Sequence, residues 1–391
     1  MEYRRLAGTM AVALATTLAS VSLTASVSFA DAEPLVPAAP VAEAFTLPEL
    51  IGPYLSDVPA RGTYIGVLDG FTEIRDTRPD LLQRNLDLGV EINNAATPVE
   101  QQRALFDDNH DRLLSLSDGL GDGLGAVFRT ALAEHRLPKV AALLAGDIAR
   151  AGGIANSTLL EKNHWSNPRP FEVVPERIVA YRGDGVSGGA DPFADVYGTD
   201  SYPSGHASQG YWKGILLAGM LPELAPQILT RASEIGNGRI VLGVHYPLDV
   251  MGGRIMGQAA AADRLGDPAF ARLVDEAGAE LRAVLETAAG RPLRDYIASD
   301  TPYRPAATAR AEYRERLTYG FERIHPDAAN DIPAEAAVLL RAAAPGLTDE
   351  QRLDVLRRTA IPAGYPLDRT GPEGGWLRID LVAAYEAVAG N

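Results

Sequence analysis

The chain has 391 residues, 36 Lys+Arg against 51 Asp+Glu, a formal net charge of −15 and no cysteine. So acidic a chain is not a general nucleic-acid binder, which needs a basic surface. Without cysteine it has no disulfide, zinc ribbon, iron–sulfur cluster or catalytic thiol, and its 46% hydrophobic and 22% charged residues fit a globular protein.

Residues 1–30 read as an export signal. Arg4 and Arg5 give a short positive start, Leu6 to Ala30 is uncharged, and Ser28-Phe29-Ala30 offers small residues where a signal peptidase cuts. An uncharged run of this length could also span a bilayer. Its Ser and Thr residues and cleavage-like end favour a removed signal, hence a secreted or cell-envelope protein. Residues 31–48 are rich in Pro and Ala and are expected to be a linker. From residue 49 apolar residues recur at helical spacing, as in Leu81, Leu82, Leu86 and Leu88, or Leu105, Leu113, Leu114 and Leu116. Period-2 runs are scarce. The chain is therefore predicted to be all-α, with a helical domain over 49–290 and a mostly helical C-terminal extension over 291–391. That extension closes with a Gly/Pro-rich turn from Pro362 to Gly375 and a last helix near Leu377–Val388. After the leader, uncharged runs such as Gly214–Pro222 and Ile240–Leu248 are too short to span a membrane, so no span is expected in the mature chain.

Three segments stand out between these landmarks. The first runs from Lys162 to Arg169-Pro170, the second is Pro203-Ser204-Gly205-His206, and the third runs from Arg239 through His245 to Asp249. Lys162 is one of only three lysines, with Lys139 and Lys213. If Lys162, Arg169 and Arg239 converge, they make a site for a compact oxyanion, to which a planar guanidinium can donate two hydrogen bonds. Pro203-Ser204-Gly205 reads as a helix start: Ser204 is a good N-cap, Gly205 lets backbone N–H groups approach a ligand, and a helix N-terminus favours an anion. The glycines at 205, 210, 214 and 219 predict tight packing along that helix. Pro247 suits the first turn of another helix. Asp249 then falls in the same turn, four residues after His245, so that it can hold one imidazole nitrogen while the other faces substrate.

Each feature alone has an ordinary explanation: a solvated cation, a local His–Asp bond, a capped turn. Their joint occurrence in order, from Lys162 to Asp249, describes a phosphoryl-transfer site that needs no metal. His164 is read as a surface or packing residue, and His110, His135 and His325 as structural.

With these motifs the sequence resembles the type 2 phosphatidic acid phosphatase and vanadium haloperoxidase superfamily, which includes the bacterial non-specific acid phosphatases. One departure is Gly238, where the family usually has Ser before the third-motif arginine; its loss removes a hydroxyl near the phosphate loop. The resemblance implies an α-helical bundle with its site at the ends of the central helices. It implies His245 as nucleophile, Asp249 as its orienting carboxylate, and His206 as general acid and then base. It also implies Lys162, Arg169, Ser204, Gly205 and Arg239 as the groups that hold the phosphoryl oxygens. The substrate expected is a small-molecule phosphomonoester, with no cofactor and no nucleic-acid partner; the oligomeric state is not disclosed. An acidic pH optimum is expected, because His206 must be protonated while His245 is neutral. The alternative function is a vanadium-dependent haloperoxidase, in which the same residues hold vanadate and His245 is its ligand. For residues 291–391, a surface-binding module is a further alternative.

Overall fold

The computed structural model describes residues 43–51, 63–145, 158–182 and 191–389. The leader expected over 1–30, and the linker up to residue 42, lie outside them. The described residues fall within one compact unit, residues 40–391. Among them there is no strand, as the sparse period-2 patterning predicts.

The N-terminal part contributes α1 (Leu47–Ile51), α2 (Ile65–Leu68), α3 (Gly70–Thr77), α4 (Pro79–Ala95), α5 (Pro98–Asn109) and α6 (Arg112–Leu116). It continues with α7 (Asp122–Ala133), α8 (Pro138–Leu144), α9 (Leu159–Trp165) and α10 (Pro170–Val173). Local chemistry sets these boundaries. The Thr97 hydroxyl accepts the Glu100 backbone N–H, while the Glu100 carboxylate reaches back to the Thr97 N–H, a capping box that starts α5. Asp111 caps α6 by accepting the Leu113 N–H at 2.8 Å.

Three helices form the centre: α11 (Gly205–Met220), α12 (Ala225–Val241) and α13 (Pro247–Leu265). Nearly all their residues are buried, as their mixture of apolar and small residues requires. Glycine lets them approach closely. A Cβ at Gly214 would come within 2.9 Å of the Ala232 Cβ, and one at Gly253 within 2.5 Å of the Ser204 carbonyl oxygen. Gly210 is similarly tight against Ala232, whereas a Cβ at Gly219 would meet only ordinary contact. The close packing expected from the glycines thus holds for part of α11, and α13 supplies glycines of its own at 253 and 257. α14 (Pro268–Ala289) buries Phe270, Leu273, Val274, Ala277, Leu281 and Leu285, one stripe at helical spacing, against α11, α7 and α8.

The C-terminal part contains α15 (Leu293–Ile297), α16 (Ala306–Arg316), α17 (Asp349–Thr359) and α18 (Leu381–Ala389), separated by long irregular stretches. Its Tyr313, Leu317, Leu340, Leu356, Trp376 and Leu381 belong to the same hydrophobic cluster as the central helices. The last helix begins four residues later than its composition predicts. Asp380 accepts the Ala383 N–H at 3.0 Å and so fixes the start after itself, while Trp376–Arg378 form a single 3₁₀ turn. No helix among the described residues is long and apolar enough to cross a membrane.

Candidate active site

The three sequence segments meet at one end of the central bundle. Ser204 caps α11, its hydroxyl accepting the Ala207 N–H at 3.3 Å, and its own N–H donates to the Asp249 carbonyl at 2.9 Å. The N-terminus of α11 is thereby tied to the first turn of α13. Arg239 projects from the last turn of α12, and His245 sits in the short connection between α12 and α13. Lys162 lies on α9, and Arg169 follows it at the start of α10. A Cβ at Gly205 would stand 3.2 Å from the Thr158 hydroxyl, so the backbone is closely bordered there.

His245 is almost fully buried. Its Nδ1–H donates to Asp249 Oδ2 at 3.1 Å, and its Nε2 accepts Arg169 Nη1–H at 3.2 Å. The tautomer follows from the partners, because a guanidinium has no acceptor. The Nε2 lone pair therefore faces the cation cluster, as a nucleophile requires. Asp249 Oδ2 also accepts the Tyr246 N–H at 2.8 Å, which fixes the carboxylate at the third residue of α13. Burial pushes this carboxyl up, to about 7.

Arg169 and Arg239 are buried as well, and Lys162 is partly buried. Arg169 Nη1 donates to the Val244 carbonyl at 2.7 Å, and its Nε and Nη2 reach Thr199. Lys162 Nζ donates to the carbonyls of Asp200 and Ser201. Burial, with Arg169 adding to it, pushes the Lys162 ammonium down to about 7. Arg239 Nη1 donates to Asp108 Oδ1, whereas its Nε is buried without a partner. A buried N–H donor left open costs about 1–3 kcal/mol, which an oxyanion ligand would recover. Burial, then the surrounding cations, also hold both histidines well below the ordinary imidazole range. For His206 the cations are led by Arg239 and Arg112, and for His245 by Arg169 and Lys162.

His206 opens onto a cleft of about 630 Å³, lined by Arg239 and by residues 108–112, from the end of α5 to the start of α6. That segment, Asp-Asn-His-Asp-Arg, was not singled out by the sequence. Asp108 Oδ1 lies 3.5 Å from His206 Nε2, and Arg112 Nη2 donates to the same nitrogen. Asp111, the α6 cap, accepts from the buried Lys213 Nζ at 3.1 Å. The neighbouring Asp107 pairs with the fully buried Arg231 of α12, which pins the end of α5 beside the site. The usable signal was a block of charged residues directly after an amphipathic helix.

His110 also lines this cleft, at its exposed rim, stacked on Phe106 with ring centroids 4.0 Å apart. His164 is exposed against Trp165, and His325 pairs with Glu73 at 3.0 Å. Gly238 packs against α5: a Cβ there would approach Ala104 to 3.3 Å, so a serine at this position would need the two helices to part slightly.

Comparison with known proteins agrees with the motif reading. Residues 140–263 match the PAP2 superfamily, and the chain is homologous to bacterial non-specific acid phosphatases at moderate identity. It is 35% identical over 123 residues to an acid phosphatase of Zymomonas mobilis, covering 31% of this chain and 42% of that protein. It is 28% identical over 159 residues to a non-specific acid phosphatase of Providencia stuartii, covering 41% and 60% of the two. A third, from Salmonella typhi, is 33% identical over 131 residues, covering 32% of this chain and 46% of its own length. The chain thus spans about half the length of these curated relatives.

Proposed function

We propose that this protein is an exported acid phosphatase that hydrolyses small phosphomonoesters through a phosphohistidine at His245, with neither metal nor cofactor. The observation that carries the reading is the His245 geometry: Nδ1–H on Asp249, the Nε2 lone pair beside Arg169, and a capped helix N-terminus alongside. In the first step Nε2 attacks phosphorus, the ester P–O bond breaks, and His206 gives its proton to the leaving oxygen. In the second, His206 takes a proton from water, whose oxygen displaces Nε2 to release phosphate. Lys162, Arg169, Arg239, Ser204 and the Gly205 N–H hold the phosphoryl oxygens. Phosphoryl transfer depends chiefly on such positioning and charge stabilisation, and a covalent intermediate divides one slow hydrolysis into two easier steps. Export is supported by the leader-like residues 1–30.

Rapid acid quench of the purified protein with a labelled aryl phosphate, in chelator, is expected to trap label on His245. Ester hydrolysis without a phosphohistidine would overturn the mechanism. Vanadate- and peroxide-dependent halogenation without ester hydrolysis would assign the same residues to a vanadate cofactor instead.

The depressed His206 sets a pH expectation. Activity requires His206 protonated, so kcat/KM falls as pH rises through its pKa, which lies below the ordinary value of about 6.5. Arg112→Gln removes one of the positive charges that depress it. The alkaline limb of the kcat/KM profile should therefore move to higher pH, and a limb that stays or moves down would exclude this role for Arg112.

A further inference from the structure

The most informative feature outside the motifs is a carboxylate in an oxyanion site. Asp108 Oδ1 accepts Arg239 Nη1–H and stands 3.5 Å from His206 Nε2, inside the cleft that both residues line. Arg239 is itself buried, and its Nε, on the same planar guanidinium, is buried without a partner. A ligand oxygen that reaches His206 Nε2 comes alongside the Asp108 oxygen, which stands 3.5 Å from that nitrogen, while the open Nε offers a donor on another edge of the guanidinium.

We propose that Asp108 is a specificity-determining residue that admits oxyanions carrying a proton and rejects fully ionised ones. The inference rests on the reading of this cleft as an oxyanion site. A carboxylate can only accept, so beside it a ligand oxygen must donate or be repelled. Phosphate and its monoesters keep an O–H at acidic pH, because their second ionisation falls near pH 6. Their O–H can donate to Asp108 while their bare oxygens take Arg239, Arg169 and Lys162. Sulfate offers no proton, and its oxygens would face the carboxylate at close range. Such repulsion against the wrong ligand is an economical route to selectivity. The same rule extends to substrates: phosphomonoesters are accepted and sulfate monoesters are excluded, although size and shape are shared.

The test is titration calorimetry of the full chain with sodium phosphate and with sodium sulfate at about pH 5.5, where phosphate holds its proton. It is paired with competitive inhibition of aryl phosphate hydrolysis by each anion. The parent protein should bind phosphate roughly tenfold or more tightly than sulfate. Asp108→Asn, whose amide can donate as well as accept, should lower that ratio to within about threefold, mainly through tighter sulfate binding. Asp108→Glu, which restores a carboxylate, should restore preference for phosphate. Equal binding of both anions by the parent overturns the inference, and so does an unchanged ratio in Asp108→Asn, which would leave Asp108 only as an anchor for Arg239. If the parent binds neither anion, the oxyanion site itself is misread and the inference falls with it.

Discussion

Replacing His245 with alanine should lower kcat for an aryl phosphate by about 10⁴-fold or more, the scale of removing a nucleophile from a covalent mechanism. Phosphate binding should survive, because Lys162, Arg169 and Arg239 are held by other partners: the carbonyls of Asp200 and Ser201, Thr199 with the Val244 carbonyl, and Asp108. Asp249→Asn should be nearly as damaging, by about 10³–10⁴-fold, for a reason visible in the hydrogen bonds. An asparagine that turned its amide towards Nδ1 would make Nδ1 the acceptor and move the imidazole proton to Nε2. Nε2–H would then confront Arg169 Nη1, now 3.2 Å away, and would have no lone pair for phosphorus. The asparagine could instead turn its oxygen to Nδ1 and to the Tyr246 N–H, but it would no longer stabilise the positive charge of the phosphohistidine. Steady-state kinetics with parallel phosphate titration separates these outcomes. A His245→Ala protein within tenfold of the parent kcat would assign the nucleophile elsewhere.

The motif residues were readable because their local chemistry is written in the chain. Pro247 and Ser204 mark helix starts, and the four-residue step from His245 to Asp249 becomes a hydrogen bond once α13 begins where Pro247 places it. Asp108 and Arg112 were not readable, although they touch Arg239 and His206. Charged residues at a helix end ordinarily read as solvated surface. What turns them inward is tertiary: the buried Arg231–Asp107 pair draws the end of α5 onto α12, and Lys213 holds the α6 cap. The all-α class followed from periodicity alone. The start of α18 did not, because Trp376, Leu377 and Ile379 are used for packing before Asp380 starts the helix.

Arginine hid the role of the C-terminal residues in the same way. An Ala-, Arg- and Glu-rich stretch reads as exposed helix, yet its Arg378 and the facing Arg254 are among the largest fully buried side chains. Arg254 of α13, about one turn beyond Asp249, is 1% exposed. Its guanidinium donates to the carbonyls of Leu317, Leu377 and Ile379, all beyond residue 290. Gln258, one turn further, donates to the Trp376 carbonyl at 3.0 Å. Arg378 pairs with Asp368, both nearly inaccessible to solvent. The helix that carries Asp249 is thus bonded on its outer side to main chain from the last quarter of the sequence.

Ending the chain at residue 290 should therefore cost far more than the loss of an appendage. The deletion strips every partner that the hydrogen bonds give to Arg254 and leaves its guanidinium to water. It also uncovers apolar residues of α11 and α13 that share a core with Tyr313, Leu340 and Trp376. Folded domains are stable by only about 5–15 kcal/mol, so the shortened protein should show no cooperative melting transition and no phosphatase activity. Arg254→Met isolates part of the effect. It keeps the side chain's reach but leaves the three carbonyls without their donor, and should lower stability by about 3 kcal/mol while kcat at low temperature changes little. Thermal melts followed by far-ultraviolet circular dichroism, with activity read on the same samples, check both. A 1–290 chain that melts cooperatively and keeps the parent kcat would make the C-terminal residues a separable module. Loss of the melt together with activity would make them the outer wall that holds α13, and with it His245 and Asp249, in place.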